Sequence, residues 1–196
     1  MKVLTFDNQK SCQLLVSHGA TAHLFNLLAI ENELHRGYAL QIFASMAKFP
    51  MIQGLIADLL IRVAVLLEEG LTSERYNDQS LYCVQILDNW VLQCVQANNS
   101  RMGAEASMQI YRHGIVRIAT KYLNNQGTGV QIRQTVLRLF GQLRMTDEIV
   151  TQFGEAGTIA AAVRYMRSPE YTLKRNAFVL FAAMTSVPKV FNVQLN

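Results

Sequence analysis

The chain has 196 residues, of which 51% are hydrophobic and 16% charged, with only three prolines. It is long enough to bury a sizeable core, and the composition excludes a disordered or low-complexity chain. The net charge of +4 is uneven: residues 1–98 hold six Lys/Arg against nine Asp/Glu, and residues 99–196 hold twelve against five. The second half therefore suits an acidic partner or carries a solvated basic face.

Leu, Ala, Gln, Met and Arg dominate the long segments, so helices are expected throughout. The opening "MKVLTFDNQK" turns polar too early for a secretory signal. In "HGATAHLFNLL", Gly19 is followed nine residues on by Leu28. Ala39, Phe43, Met46 and Pro50 then stand 11, 15, 18 and 22 residues after Leu28. Steps of four and three put Ala39, Phe43 and Met46 on one helical face.

"IQGLIADLLIRVAVLL" repeats this opening with Asp58 in the glycine place and Leu67 nine residues later. With Asp58 and Arg62 inside it, the stretch is too short and too charged to span a bilayer. Cys83, Leu87 and Trp90 form the next stripe, after five extra residues assigned to a polar loop in "EEGLTSERYNDQS". A second polar segment, "QANNSRMGAE", leads to the third copy. There Gly114 and Leu123 hold the two places, and Val136, Phe140 and Leu143 follow after two extra residues.

In "TDEIVTQFGEAG", Thr146 reads as an N-cap with acidic residues in the first turn. The fourth copy runs from Gly157 to Met166, and Ala177, Phe181, Met184 and Pro188 match the first copy without a gap. The glycine places are 39, 56 and 43 residues apart, and periods near 40 with helical patterning indicate a helical solenoid. Each copy reads as a short helix before the glycine, a second helix ending at the ninth place, and a third carrying the stripe. The glycine is expected to permit a sharp turn where a side chain would collide with a crossing helix. Phe43, Leu87, Phe140 and Phe181 are expected to be buried between copies.

This pattern resembles the armadillo repeat family in its three-helix unit, turn glycine, paired apolar residues in the second helix and small-then-large third helix. The resemblance implies an all-α fold, a right-handed α-solenoid of about four three-helix armadillo-like repeats. It extends over residues 1–196 as a single armadillo-like repeat domain, with repeats at roughly 8–50, 51–95, 106–145 and 146–187. Residues 188–196, "PKVFNVQLN", read as the start of a further repeat, as in a piece of a longer protein.

Chemistry-bearing constellations are scarce. His18 and His113 both stand just before a turn glycine, a structural place, and His23 and His35 complete no metal-binding or catalytic motif. "NQGTGVQ" falls between helices and is not a phosphate loop. Cys83 takes a core place, a small buried hydrophobe and not a nucleophile. With Cys12 and Cys94 it makes an odd set without metal-ligand spacing, which points to a reducing, cytoplasmic setting, the nucleus not excluded. No catalytic residue, metal or cofactor is expected.

In proteins of the armadillo family the third helices line a concave groove that binds peptides. An outward tryptophan and an asparagine four residues later form ladders there. By register, Gln41, Gln85, Arg138 and Val179 hold the first place here, and Ser45, Asn89, Gln142 and Ala183 the second. Only Asn89 keeps the asparagine, and Trp90 falls in a core place, so recognition of the nuclear-import type is not implied. What remains is a ridge of Gln41, Ser45, Gln85, Asn89 and Gln142, joined by Arg138, Arg133, Lys174 and Arg175 toward the C-terminal end. The expected function is a non-enzymatic protein-protein interaction scaffold binding a protein or peptide partner, acidic in character, along that groove. The rival reading is an architectural spacer or regulatory segment of a large cytoskeletal, motor or ciliary protein. Nucleic-acid binding through the basic half is weaker, because aromatics interleaved with arginine on an exposed face are not evident, Tyr122 and Tyr165 falling in core places.

Overall fold

A computed structural model of the protein describes residues 8–72, 77–97 and 99–187. The expected further repeat at 188–196 lies outside the described residues. The described chain is all-α, in four three-helix repeats. The first holds α1 (Gln9–Ser17), α2 (Ala20–Ala29) and α3 (Glu33–Met46). The second opens with a 3₁₀ helix, Pro50–Gly54, followed by α4 (Ile56–Thr72) and α5 (Asn77–Gln96). The third holds α6 (Ser100–Arg112), α7 (Ile115–Asn124) and α8 (Val130–Gln142). The fourth holds α9 (Asp147–Ala156), α10 (Thr158–Met166) and α11 (Tyr171–Thr185). The chain divides into two compact units, Met1–Gln93 and Cys94–Asn196.

Helix starts follow from local side-chain chemistry. Asn32 accepts from the His35 N–H at the head of α3, and Asn99 accepts from Arg101 and Met102 at the head of α6. Thr146 caps α9 through the Ile149 N–H, with Asp147 and Glu148 in the first turn as expected. Each such bond satisfies one of the otherwise orphaned N–H groups of a helix start.

Gly19, Gly114 and Gly157 turn the chain between first and second helices with φ of 71°, 68° and 81°. The expected reason, a collision avoided, is not the physical one. A Cβ on Gly19 or Gly114 would meet nothing within 4 Å, and on Gly157 only Asn124 Nδ2 at 3.7 Å. What requires glycine is the left-handed backbone itself. His18 and His113 sit at the helix C-caps before these turns, and His18 Nδ1 lies 2.8 Å from the Leu14 carbonyl oxygen.

The second repeat departs from the expected register. Asp58 is not at a turn but in the first turn of α4, where a carboxylate favours the helix dipole. The turn falls at Leu55, in ordinary right-handed geometry. The polar stretch after Leu67 is largely helix as well, since α4 continues to Thr72 with Gly70 buried. Likewise Gln96–Glu105 is mostly the end of α5 and the start of α6.

The stripes form the core. Ala39, Phe43, Met46, Cys83, Leu87, Val136, Phe140 and Ala177 are wholly enclosed, and Trp90, Leu143 and Met184 nearly so. Phe25 packs on Phe43, and Phe140 on Phe153, each with ring centroids 5.0 Å apart. Phe181 is half-buried instead of enclosed. It lies on α11, the last described helix, which has no further described repeat to cover it.

Candidate functional site

In the first unit the third helices α3 and α5 are tied together through main-chain carbonyls. Gln79 Nε2 donates to the Glu33 carbonyl (3.2 Å) and Asn89 Nδ2 to the Ala44 carbonyl (2.9 Å). The single asparagine matching the family ladder thus engages its amide donor in holding α5 against α3. Trp90 is 2% exposed and its indole N–H donates to Gln53 Oε1 at 3.3 Å, so it belongs to the core. Gln41, Ser45, Gln85 and Asn89 are all half-buried.

Gln41 opens onto a cleft of about 360 Å³ between α3 and α5, with Tyr38, Gln79, Tyr82, Glu33 and Asp78 around it. The two tyrosines were absent from the sequence-based site. The register contained the signal: each stands one residue before the small core place, Tyr38 before Ala39 and Tyr82 before Cys83.

In the second unit α8 and α11 approach closely at Gly141, where a Cβ would stand 3.1 Å from Val179 Cγ1. Asn176 Nδ2 donates to the Gln134 carbonyl at 2.9 Å and fixes the pair. Arg138, Lys174 and Arg175 are exposed, and Gln142 and Ala183 are half-buried. Val179 is exposed beside Phe178. Arg133 is half-buried, and its Nη2 donates to the Asn125 and Gln126 carbonyls at 2.9 and 2.8 Å. It braces the loop from α7 to α8.

The chemistry available is that of recognition. Burial, with a smaller contribution from Glu69, pushes the Cys83 thiol far above its ordinary range, so it stays protonated and inert. Among the described residues no three His, Cys, Asp or Glu side chains gather as a metal site, and no helix is long and apolar enough to cross a membrane.

No protein-family model matches the sequence, and no curated protein matches it significantly. Solved structures do match. The crystal structure of computationally designed armadillo repeat proteins for modular peptide recognition aligns at 20% identity with a TM-score of 0.77, over 94% of this chain and 73% of that one. The chain has the armadillo-repeat fold. An engineered protein aligns at 18% identity and a TM-score of 0.74, over 93% of this chain and 71% of its own. A designed armadillo repeat protein in complex with the peptide (KR)4 aligns at 16% identity and 0.50, over 91% and 88%.

Proposed function

We propose that this armadillo-fold chain is a non-enzymatic scaffold whose protein partner lies along the third helices, α3 with α5 in the first unit and α8 with α11 in the second. The observation carrying this reading is the kind of side chain on those helices. Beside wholly enclosed stripe residues stand Gln41 and Gln85, half-buried at a cleft or helix face, and Arg138, Lys174 and Arg175, exposed. Amides at such places can pair with a peptide backbone, and arginines can fork onto carboxylates. An acidic segment suits α8 and α11. Its setting is a reducing compartment, in keeping with three buried cysteines free of disulfides.

The test compares proteins captured by the intact chain and by a Gln41→Ala/Gln85→Ala/Arg138→Glu variant whose melting curve is native-like. A Lys121→Glu variant on α7 serves as control. Captured proteins lost with the triple variant and kept with the control support the third-helix face. Equal capture by all three forms overturns it.

A further inference from the structure

One place in the repeat is filled by arginine in both units. Arg36 stands three residues before Ala39, and Arg133 three residues before Val136. The two side chains brace the preceding loop in the same way. Arg36 Nε donates to the Ile30 carbonyl at 2.8 Å, as Arg133 Nη2 does to Asn125 and Gln126. In the first unit the remaining charge is met internally: Arg36 Nη1 lies 3.0 Å from Glu69 Oε2. Glu68 and Glu69 directly follow Leu67, the ninth-place residue. After Met166, the matching residue of the fourth repeat, stand Arg167 and Ser168. A carboxylate pair has been replaced by a cation and a hydroxyl.

The consequence is a cleft of about 430 Å³ lined by Arg133, Arg164 and Arg167, with Asn124 and Ser168 beside them and no carboxylate in its wall. Arg164 is held in place by bonds from Nη2 to the Leu123 carbonyl (2.7 Å) and Asn124 Oδ1 (3.1 Å), and it lies over the Tyr165 ring at 5.1 Å. Arg133 Nε is buried and makes no hydrogen bond. Among the described residues, none of the three arginines forms an ion pair.

The C-terminal ends of α7 and α10 each offset about half a positive charge. Roughly two positive charges remain. A single carboxylate would neutralise only half of that excess, whereas a phosphate monoester carries about −1.5 to −2 at neutral pH and presents three acceptor oxygens to guanidinium forks. Nucleic acid fits less well. Its phosphodiesters carry one charge each and need a track of cations with exposed stacking surfaces, whereas the aromatic ring in this cleft's wall, Tyr165, is only 8% exposed and the exposed Tyr171 lies outside that wall.

We propose that this cleft binds a phosphate monoester on a protein segment, its oxygens taking the role beside Arg133 that Glu69 has beside Arg36. The site is built where the start of α8 and the end of α10 meet the α7–α8 and α10–α11 loops, with Arg133 turned onto the Asn125 and Gln126 carbonyls, so it stands whether or not the rest of the third-helix faces binds a partner.

The test uses the full chain and a fluorescent Gly-Ser peptide carrying one phosphoserine, followed by anisotropy. The same peptide unphosphorylated, and with glutamate in place of the phosphoserine, gives the comparison. The expected result is at least tenfold tighter binding of the phosphopeptide than of either other form, with displacement by inorganic phosphate. Arg167→Ala weakens it at least fivefold. Arg167→Glu/Ser168→Glu, which grafts the acidic pair of the first unit, abolishes it in a variant that still melts cooperatively, at a somewhat lower temperature because Ser168 Oγ accepts the Glu170 N–H. Three peptides binding alike, or a folded grafted variant binding as tightly as the parent, overturns the proposal. So does a single-stranded oligonucleotide without terminal phosphates that binds more tightly than the phosphopeptide and is lost in the same variants. If the grafted variant does not fold, Arg167→Ala decides alone, since that side chain is exposed and bonded to nothing described.

Discussion

The hydroxyls of Thr120 on α7 and Thr158 on α10 meet at 2.6 Å, both buried. Thr120 Oγ1 also donates to the Val116 carbonyl at 2.7 Å, which commits its proton and makes Thr158 the donor of the pair. The relay has a direction, and the two threonines are unequal. Thr158→Val leaves Thr120 bonded to Val116 and is expected to cost under about 1 kcal/mol, whereas Thr120→Val strands a buried hydroxyl and costs about 1–3 kcal/mol. Urea denaturation of the two variants measures the difference. Equal losses would contradict the assigned direction.

The stripe phenylalanines are unequal too. Phe140 is wholly enclosed against Phe153, and its replacement by alanine is expected to cost about 3–5 kcal/mol. Phe181, half-buried at the same place in the fourth repeat, loses less apolar contact and should cost roughly half as much. A thermal or urea melt showing Phe181→Ala to be the more damaging would mean that the outer face of α11 is covered.

At Gly114 the turn can be separated from packing. An added Cβ meets nothing within 4 Å, so Gly114→Ala isolates the strain of a left-handed backbone, about 1–2 kcal/mol. Gly114→Asn should cost less, because asparagine tolerates that conformation through local hydrogen bonds. Equal destabilisation by the two would place the cost elsewhere.

Glu170 caps α11 by accepting from the Thr172 and Leu173 N–H groups. The Leu173 bond above all holds its carboxyl below the usual carboxylate range. A depressed folded-state value means the stabilisation is complete above the unfolded value and disappears as pH falls through the folded one. Glu170→Gln should therefore lower the melting temperature at pH 7, with the gap to the parent closing below about pH 4. A gap that stays constant through that range would show that the charge plays no part in the cap.

Much of the fold was legible because its signals are local. A glycine nine residues before a large apolar residue marks the turn and second helix, and steps of four and three mark the stripe. The second repeat is harder to read because Asp58 aligns with the turn glycines, whereas Ala57, Leu59 and Leu60 beside it are good helix formers and α4 already begins at Ile56. The candidate site was less legible. Asn89 is held by the Ala44 carbonyl, 45 residues earlier in the chain, and Arg133 by a loop carbonyl pair; neither bond leaves a trace in local spacing. Exposure of Arg138, Lys174 and Arg175 did follow from register, since each lies off the stripe.

The cysteines give the chain its own reporters. Cys12 and Cys83 in the first unit and Cys94 in the second are buried and unbridged. The folded protein therefore offers an alkylating reagent no accessible thiol among these three positions. Labelling requires the surrounding helices to part, so the rate at each sulfur, resolved by mass, reads the opening free energy of its own neighbourhood. Without any engineered probe, the opening of α1 at Cys12 and of α5 at Cys83 and at Cys94 can be timed separately.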